Sequence, residues 1–142
     1  MRELIRLCFL LEKTYIPYSK WLGTAFAQLP CSKQLGPVFT RVLHSTTWKE
    51  REKWLSRAYE IAGNLHNSLG VTRHVEAKVS DYYNRPYLVI HAERFVKATR
   101  DAIEDENVKA IRVIIGSVDQ FLDSTDMLSN PQLFRLSKAL FE

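Results

Sequence analysis

The sequence predicts an all-α fold, a single bundle-like helical domain of six or seven helices over residues 1–142. Three observations carry that expectation. Apolar residues recur at three- and four-residue spacing through most of the chain. Proline and glycine punctuate the periodic stretches at their ends. Strict alternation of apolar and polar residues, the mark of half-buried strands, is weak and confined to one short stretch.

The first helix is expected over about residues 2–14, where Leu4, Leu7, Cys8, Leu11 and Tyr15 share a face. Phe9 and Leu10 add apolar surface on another side, which predicts burial on most faces. Pro17 stops it, because proline clashes with the preceding turn and disfavours helix at the residue before it. A second helix is expected from Tyr18 to Leu29, ended by Pro30. A third, short one opens at Pro37, a residue suited to a first helical position, and runs through "VFTRVLHS".

The fourth helix has the clearest signals. Thr47 and Glu50 form a capping-box pattern, Trp48, Leu55, Ala58, Tyr59, Ala62, Leu65 and Leu69 trace one apolar stripe, and Gly70 suits a left-handed end. Residues 71–84 read as an irregular connection, with a short extended piece in "HVEAKVSDYY" as the alternative. Pro86 then opens a fifth helix to about Ile103, with Tyr87, His91, Phe95, Ala98 and Ala102 on one side. Asp105 caps "ENVKAIRVIIG", whose Val/Ile content also suits a strand; the lack of a partner strand favours helix. Gly116 separates that segment from "SVDQFLDSTDMLS", and Asn130 with Pro131 starts a last helix to Phe141.

A chain of 142 residues suffices for one domain with a real core, and 46% hydrophobic with 25% charged residues is the composition of a folded protein. No apolar run approaches the about 18 residues needed to span a bilayer. The opening "MRELIRLCFLLEK" is too soon interrupted by Glu12 to serve as a signal peptide, which predicts a cytoplasmic protein without a membrane partner. Cys8 is expected as a small buried hydrophobe and Cys31, after Pro30 in a turn, as somewhat more exposed; a cytoplasmic setting argues against a disulfide between them. The net charge of +4 is spread over all segments, and the densest charge run, "KEREK" (49–53), holds both signs and reads as a solvated helix face. That leaves nucleic acid open as a partner without pointing to it.

Several chemistries lack their residues. There is no glycine-rich phosphate loop, no paired-cysteine half to complete a zinc deaminase pattern around "HAE" (91–93), and no G-x-S-x-G elbow. Four histidines and two cysteines are too dispersed for a zinc site. Arg85 and His91 resemble the R-x(4–6)-H motif of HEPN ribonucleases, helical bundles in which Arg and His act on the RNA phosphate and 2′-hydroxyl. Pro86 departs from the polar residue usual there, and His91 falls on the expected apolar side of its helix, so a structural histidine is the plainer reading.

The segment "YIPYSKW" (15–21) concentrates three aromatics around one lysine. Tyr15, Tyr18 and Trp21 read either as core packing around the Pro17 corner or as an aromatic shelf for a ring. Lys20 reads either as a solvated side chain whose stem covers Trp21 or as a compact point charge for phosphate. Asp119, Asp123 and Asp126 fall at helical spacing, where three carboxylates can converge; helix capping is the plain reading, a polar ligand surface the functional one and a metal site the least favoured, and Gln120 beside them can both donate and accept. Arg85 and Arg94 suit acidic partners, Arg85 more simply being tied to loop carbonyls or Asp81, while His66 and Asn67 stabilise the helix end near Gly70.

Four stretches in order, "FLLEKTYIPYSKWLGTAFAQL", "LHNSLGVT", "NRPYLVI" and "IGSVDQFLDSTDMLSNPQL", resemble the family catalogued as domain of unknown function 4037 over nearly the whole chain. The resemblance implies a helical C-terminal half of a nucleotidyltransferase-like protein. Its N-terminal half, of the polymerase-β type, would carry the G-S…D-x-D metal motif and bind Mg²⁺ with the nucleotide. Residues 1–142 hold no such motif, since Gly116-Ser117 is followed by Val118-Asp119-Gln120, so no catalytic residue, metal ligand or cofactor is expected here. The implied partner is the nucleotidyltransferase half, in cis or as a separate chain. Lys20 and Trp21 look like the lysine–tryptophan pair with which such helical halves reach nucleotide phosphates. The expected function is an accessory domain forming one wall of a nucleotide or acceptor cleft, with Lys20, Tyr18, Trp21, Asp119, Gln120 and Asp123 as ligand-binding candidates. A protein-interaction module without ligand, and a HEPN-like ribonuclease using Arg85 and His91, are the alternatives.

Overall fold

The computed structural model describes residues 1–110 and 129–136. Among the described residues the fold is all-α apart from one two-stranded ribbon. By internal contacts the chain divides into two units, Met1–Ile103 and Glu104–Glu142.

In the first unit α1 spans Arg2–Leu11, a 3-10 turn spans Ser19–Trp21, and α2, α3 and α4 span Leu22–Phe26, Ser32–His44 and Trp48–Ser68. The ribbon strands β1 (Ser80–Asp81) and β2 (Leu88–Val89) follow, then α5 (Glu93–Asp101). Helix α4 is the spine: α3 and α1 both pack along it, and α2 packs on α1. The core gathers Leu4, Cys8 and Phe9 of α1, Leu22 and Phe26 of α2, Leu35 and Phe39 of α3, and Ala58, Ile61 and Ala62 of α4. Phe26 and Phe39 meet at 5.4 Å between ring centroids.

Helix α1 ends at Leu11, before Pro17 is reached. Lys13 takes a left-handed φ of 51°, its N–H donates to the Leu10 carbonyl, and the Thr14 N–H donates to the Phe9 carbonyl at 2.9 Å. This is a Schellman closure with lysine where glycine is common. Nor is α1 buried on most faces: Leu10 is 62% exposed and Leu7 is also open. Helix α3 starts five residues before Pro37, which sits inside it. Leu35, Phe39 and Val42 line its buried face at i, i+4 and i+7, and burying that row outweighs the hydrogen bond Pro37 forfeits.

Helix α4 begins and ends where its signals place it. Thr47 Oγ1 accepts from the Glu50 N–H at 3.2 Å, and Gly70 follows the helix with φ of 63°.

The expected helix from Pro86 to Ile103 is a correction. Residues 73–79 lie in neither helix nor strand, Ser80 pairs with Val89 and Asp81 with Leu88 in an antiparallel ribbon, and Pro86 lies in the loop between the strands. The Tyr82 N–H donates to the Tyr87 carbonyl at 3.3 Å, and Tyr83 turns the chain with φ of 53°. Only Glu93–Asp101 is helical, so His91 precedes the helix with φ of 54° and does not sit on its apolar side.

In the second unit, α6 spans Glu106–Lys109 and α7 spans Pro131–Leu136. Asp105 caps α6 by accepting from the Asn107 and Val108 N–H groups at 2.8 and 3.1 Å. Asn130 Oδ1 accepts from the Gln132 N–H at 3.0 Å at the start of α7. Among the described residues no helix is long and apolar enough to cross a membrane.

Candidate functional site

The Schellman closure of α1 throws residues 14–21 outward as a short surface arch. Ile16 packs against the core and anchors it. The aromatics do not follow: Tyr15 is 97% exposed, Tyr18 47% and Trp21 58%. Core packing around Pro17 is thereby overturned for these three rings. Lys20, on the same 3-10 turn, is exposed with its Nζ 5.8 Å from the centroid of the Trp21 ring. Two tyrosines, an indole and an ammonium group thus share one solvent-facing arch, with Leu7 and Leu10 also open on the preceding helix. Exposed aromatics beside a free cation can stack on a ring and neutralise a phosphate at once. The arch contains no carboxylate.

Asp119, Gln120 and Asp123, with Asp126, lie outside the described residues. Among the described residues no three His, Cys, Asp or Glu side chains are placed to hold a metal ion.

Arg85 and His91 stand at opposite ends of the ribbon's second arm. The Arg85 N–H donates to the Tyr82 carbonyl at 3.0 Å, and its side chain is exposed. His91 is occupied at both ring nitrogens: Nε2 lies 3.0 Å from Ser80 Oγ and Nδ1 lies 3.3 Å from Glu93 Oε1. Those contacts serve to lock the ribbon onto the start of α5. Arg94 Nη2 donates to the Ile90 carbonyl at 3.2 Å, and Nη1 lies 3.9 Å from Glu76.

Cys31 is buried like Cys8 but remains the slightly more open of the two, at 4% against 0% exposed, in the order its turn predicts. Glu12 joins the two positions. Its N–H donates to the Cys8 carbonyl at 3.0 Å and its Oε1 accepts from the Cys31 N–H at 3.2 Å. Burial, and then the neighbouring Cys31 thiol and Glu12, push the Cys8 thiol up to about 12. Burial likewise raises Cys31. Both thiols therefore stay protonated at neutral pH and act as core atoms.

Sequence reasoning missed a second concave surface, between α4 and the ribbon. Glu52 Oε1 accepts from the Leu88 N–H at 2.9 Å and so holds the ribbon against the helix. Two adjoining cavities of about 240 and 230 Å³ flank that bond, with Glu52 and Leu88 lining both. Tyr82 stacks on Tyr87 at 5.7 Å and 19°, and Lys49 Nζ lies 4.1 Å over the exposed Trp48 ring. The signal lay in "DYYNRPY": clustered tyrosines around a proline are loop chemistry as well as helix surface.

Compared with known proteins, the chain matches no family model, no curated protein and no solved structure.

Proposed function

We propose that this chain is a helical accessory module of a nucleotidyltransferase-like protein, presenting the Lys20 arch as one wall of a nucleotide or acceptor cleft completed by a partner domain. The observation that carries the reading is the exposure of Tyr15, Tyr18, Lys20 and Trp21 together on an arch that Ile16 anchors to the core. Large aromatics left in water on a folded domain mark interaction surfaces. In the assembled protein Lys20 would meet nucleotide phosphates, while Tyr18 and Trp21 would form the stacking wall. Mg²⁺ would enter with the nucleotide through the partner's carboxylates. The resemblance of "PYSKW" and "GSVDQFLDSTDML" to domain of unknown function 4037 names the partner class.

Isothermal titration with Mg·ATP tests this, using the chain alone, then mixed with a separately produced nucleotidyltransferase half, for wild type and Lys20→Ala. Nucleotide heat that appears in the mixture and weakens with Lys20→Ala is the expected result. Heat of association between the two proteins that ignores both nucleotide and Lys20 would replace the reading with a ligand-free interaction module. The open Leu7 and Leu10 on α1 favour that second reading.

A further inference from the structure

The two cavities between α4 and the ribbon are separate from the Lys20 arch and differ from each other in chemistry. Trp48, Leu55, Tyr59 and Leu88 wall the first with apolar surface. Lys49, Asp81, Pro86 and Tyr87 wall the second. Each is smaller than the about 300–1,000 Å³ of pockets that enclose a whole small molecule. They are side-chain-sized compartments set side by side, the arrangement that receives alternate residues of an extended chain.

Charge separates the compartments further. Glu52, shared by both, spends Oε1 on the Leu88 N–H. Among the described residues neither Glu52 nor Asp81 is in an ion pair. Arg51, which lines the first compartment, donates from its Nη2 to the Ser45 carbonyl at 3.0 Å and keeps its positive charge there. The second compartment therefore holds two carboxylates against Lys49, whose ammonium lies over Trp48. In that compartment a cationic side chain finds complementary charge. Tyr87, backed by the stacked Tyr82 ring, and Trp48 supply the aromatic relief on which polyproline chains dock, with little conformational entropy left to lose.

We propose that this groove docks an extended, proline-rich segment of a partner protein, an apolar residue entering the Trp48–Leu88 compartment and a lysine or arginine entering at Glu52 and Asp81. Side chains on one side of an extended or polyproline chain recur every two or three residues, so the basic residue follows the apolar one at that spacing.

Fluorescence anisotropy tests this with the full chain and a panel of fluorescein-labelled peptides built on Pro-Leu-Pro-Pro followed by arginine, lysine, alanine or glutamate. An oligothymidylate serves as the polyanion arm. Saturable binding of the arginine and lysine peptides is expected, weakened about tenfold or more in the glutamate peptide. Glu52→Gln keeps an oxygen for the Leu88 N–H and loses the charge; it and Asp81→Asn should each weaken the arginine peptide about three- to tenfold, with unchanged thermal melts showing that both variants fold. Absence of saturable binding across the panel, equal affinity for arginine and glutamate peptides, indifference to both variants, or preference for the oligothymidylate would each overturn the proposal.

Discussion

Asn67 grips Val75 by both backbone atoms: its Nδ2 donates to the Val75 carbonyl at 2.7 Å and its Oδ1 accepts from the Val75 N–H at 3.0 Å. The grip starts a ladder along α4. Gly63 faces Ala77, Glu60 Oε1 accepts from the Val79 N–H at 3.4 Å, and Glu52 accepts from the Leu88 N–H. Side-chain amide and carboxylate groups of α4 thus bind the backbone of residues 75–79, which lie in no strand.

Replacing Asn67 with alanine leaves the Val75 N–H and carbonyl without that amide. A part-buried donor and acceptor lost together cost about 1–3 kcal/mol. Urea unfolding of Asn67→Ala should show that loss, and a change below about 0.5 kcal/mol would mean water substitutes for the amide.

Gly63 is needed for its missing side chain. A Cβ built there would lie 2.8 Å from Ala77 Cβ and 2.9 Å from Phe95 Cζ. Phe95 can rotate, but Ala77 Cβ is fixed to its backbone, so the segment around Ala77 must shift. Gly63→Ala should therefore destabilise by about 1–3 kcal/mol despite alanine's better helix propensity. A stabilised variant in the same urea series would show that the segment yields freely.

The arch and the core should respond differently to truncation. Lys20→Ala, Tyr15→Ala and Trp21→Ala remove exposed groups and should stay within about 0.5 kcal/mol of wild type. Leu35→Ala, which empties a fully buried site, should cost about 2–5 kcal/mol. Calorimetric melts of the four variants check both halves, and a core-sized loss from Trp21→Ala would return the arch to a packing role.

Native thiols should resist alkylation at neutral pH and react rapidly once the chain is unfolded in urea. The pH dependence follows from Cys8, whose folded pKa of about 12 exceeds its ordinary 9.0. A raised folded pKa contributes stability that is fully present below the unfolded value and is lost as pH rises through the folded one. The stability advantage of wild type over Cys8→Ala should thus shrink between pH 9.0 and about 12. A constant difference across that window would show that Cys8 titrates normally.

The local signals are legible wherever one segment decides its own structure. Thr47 with Glu50, Gly70, Asp105 and Asn130 mark their helix ends because a cap involves partners only two or three residues away. The row Leu35, Phe39, Val42 was equally visible, yet Pro37 drew the expected start of α3 away from Ser32. Pro86 misled in the same manner, since a proline that can open a helix can also turn a ribbon.

By itself, then, the sequence determined an all-α chain with α4 as its clearest helix, because helical periodicity and capping are written within a few residues of each other. Only the tertiary structure decided that Tyr15, Tyr18 and Trp21 face solvent, since an aromatic reads alike whether a neighbouring helix covers it or not. The ribbon was decided there too. Its anchors join Asn67 to Val75, Gly63 to Ala77 and Glu52 to Leu88, and contacts across 8 to 36 residues leave no period for a local pattern to show.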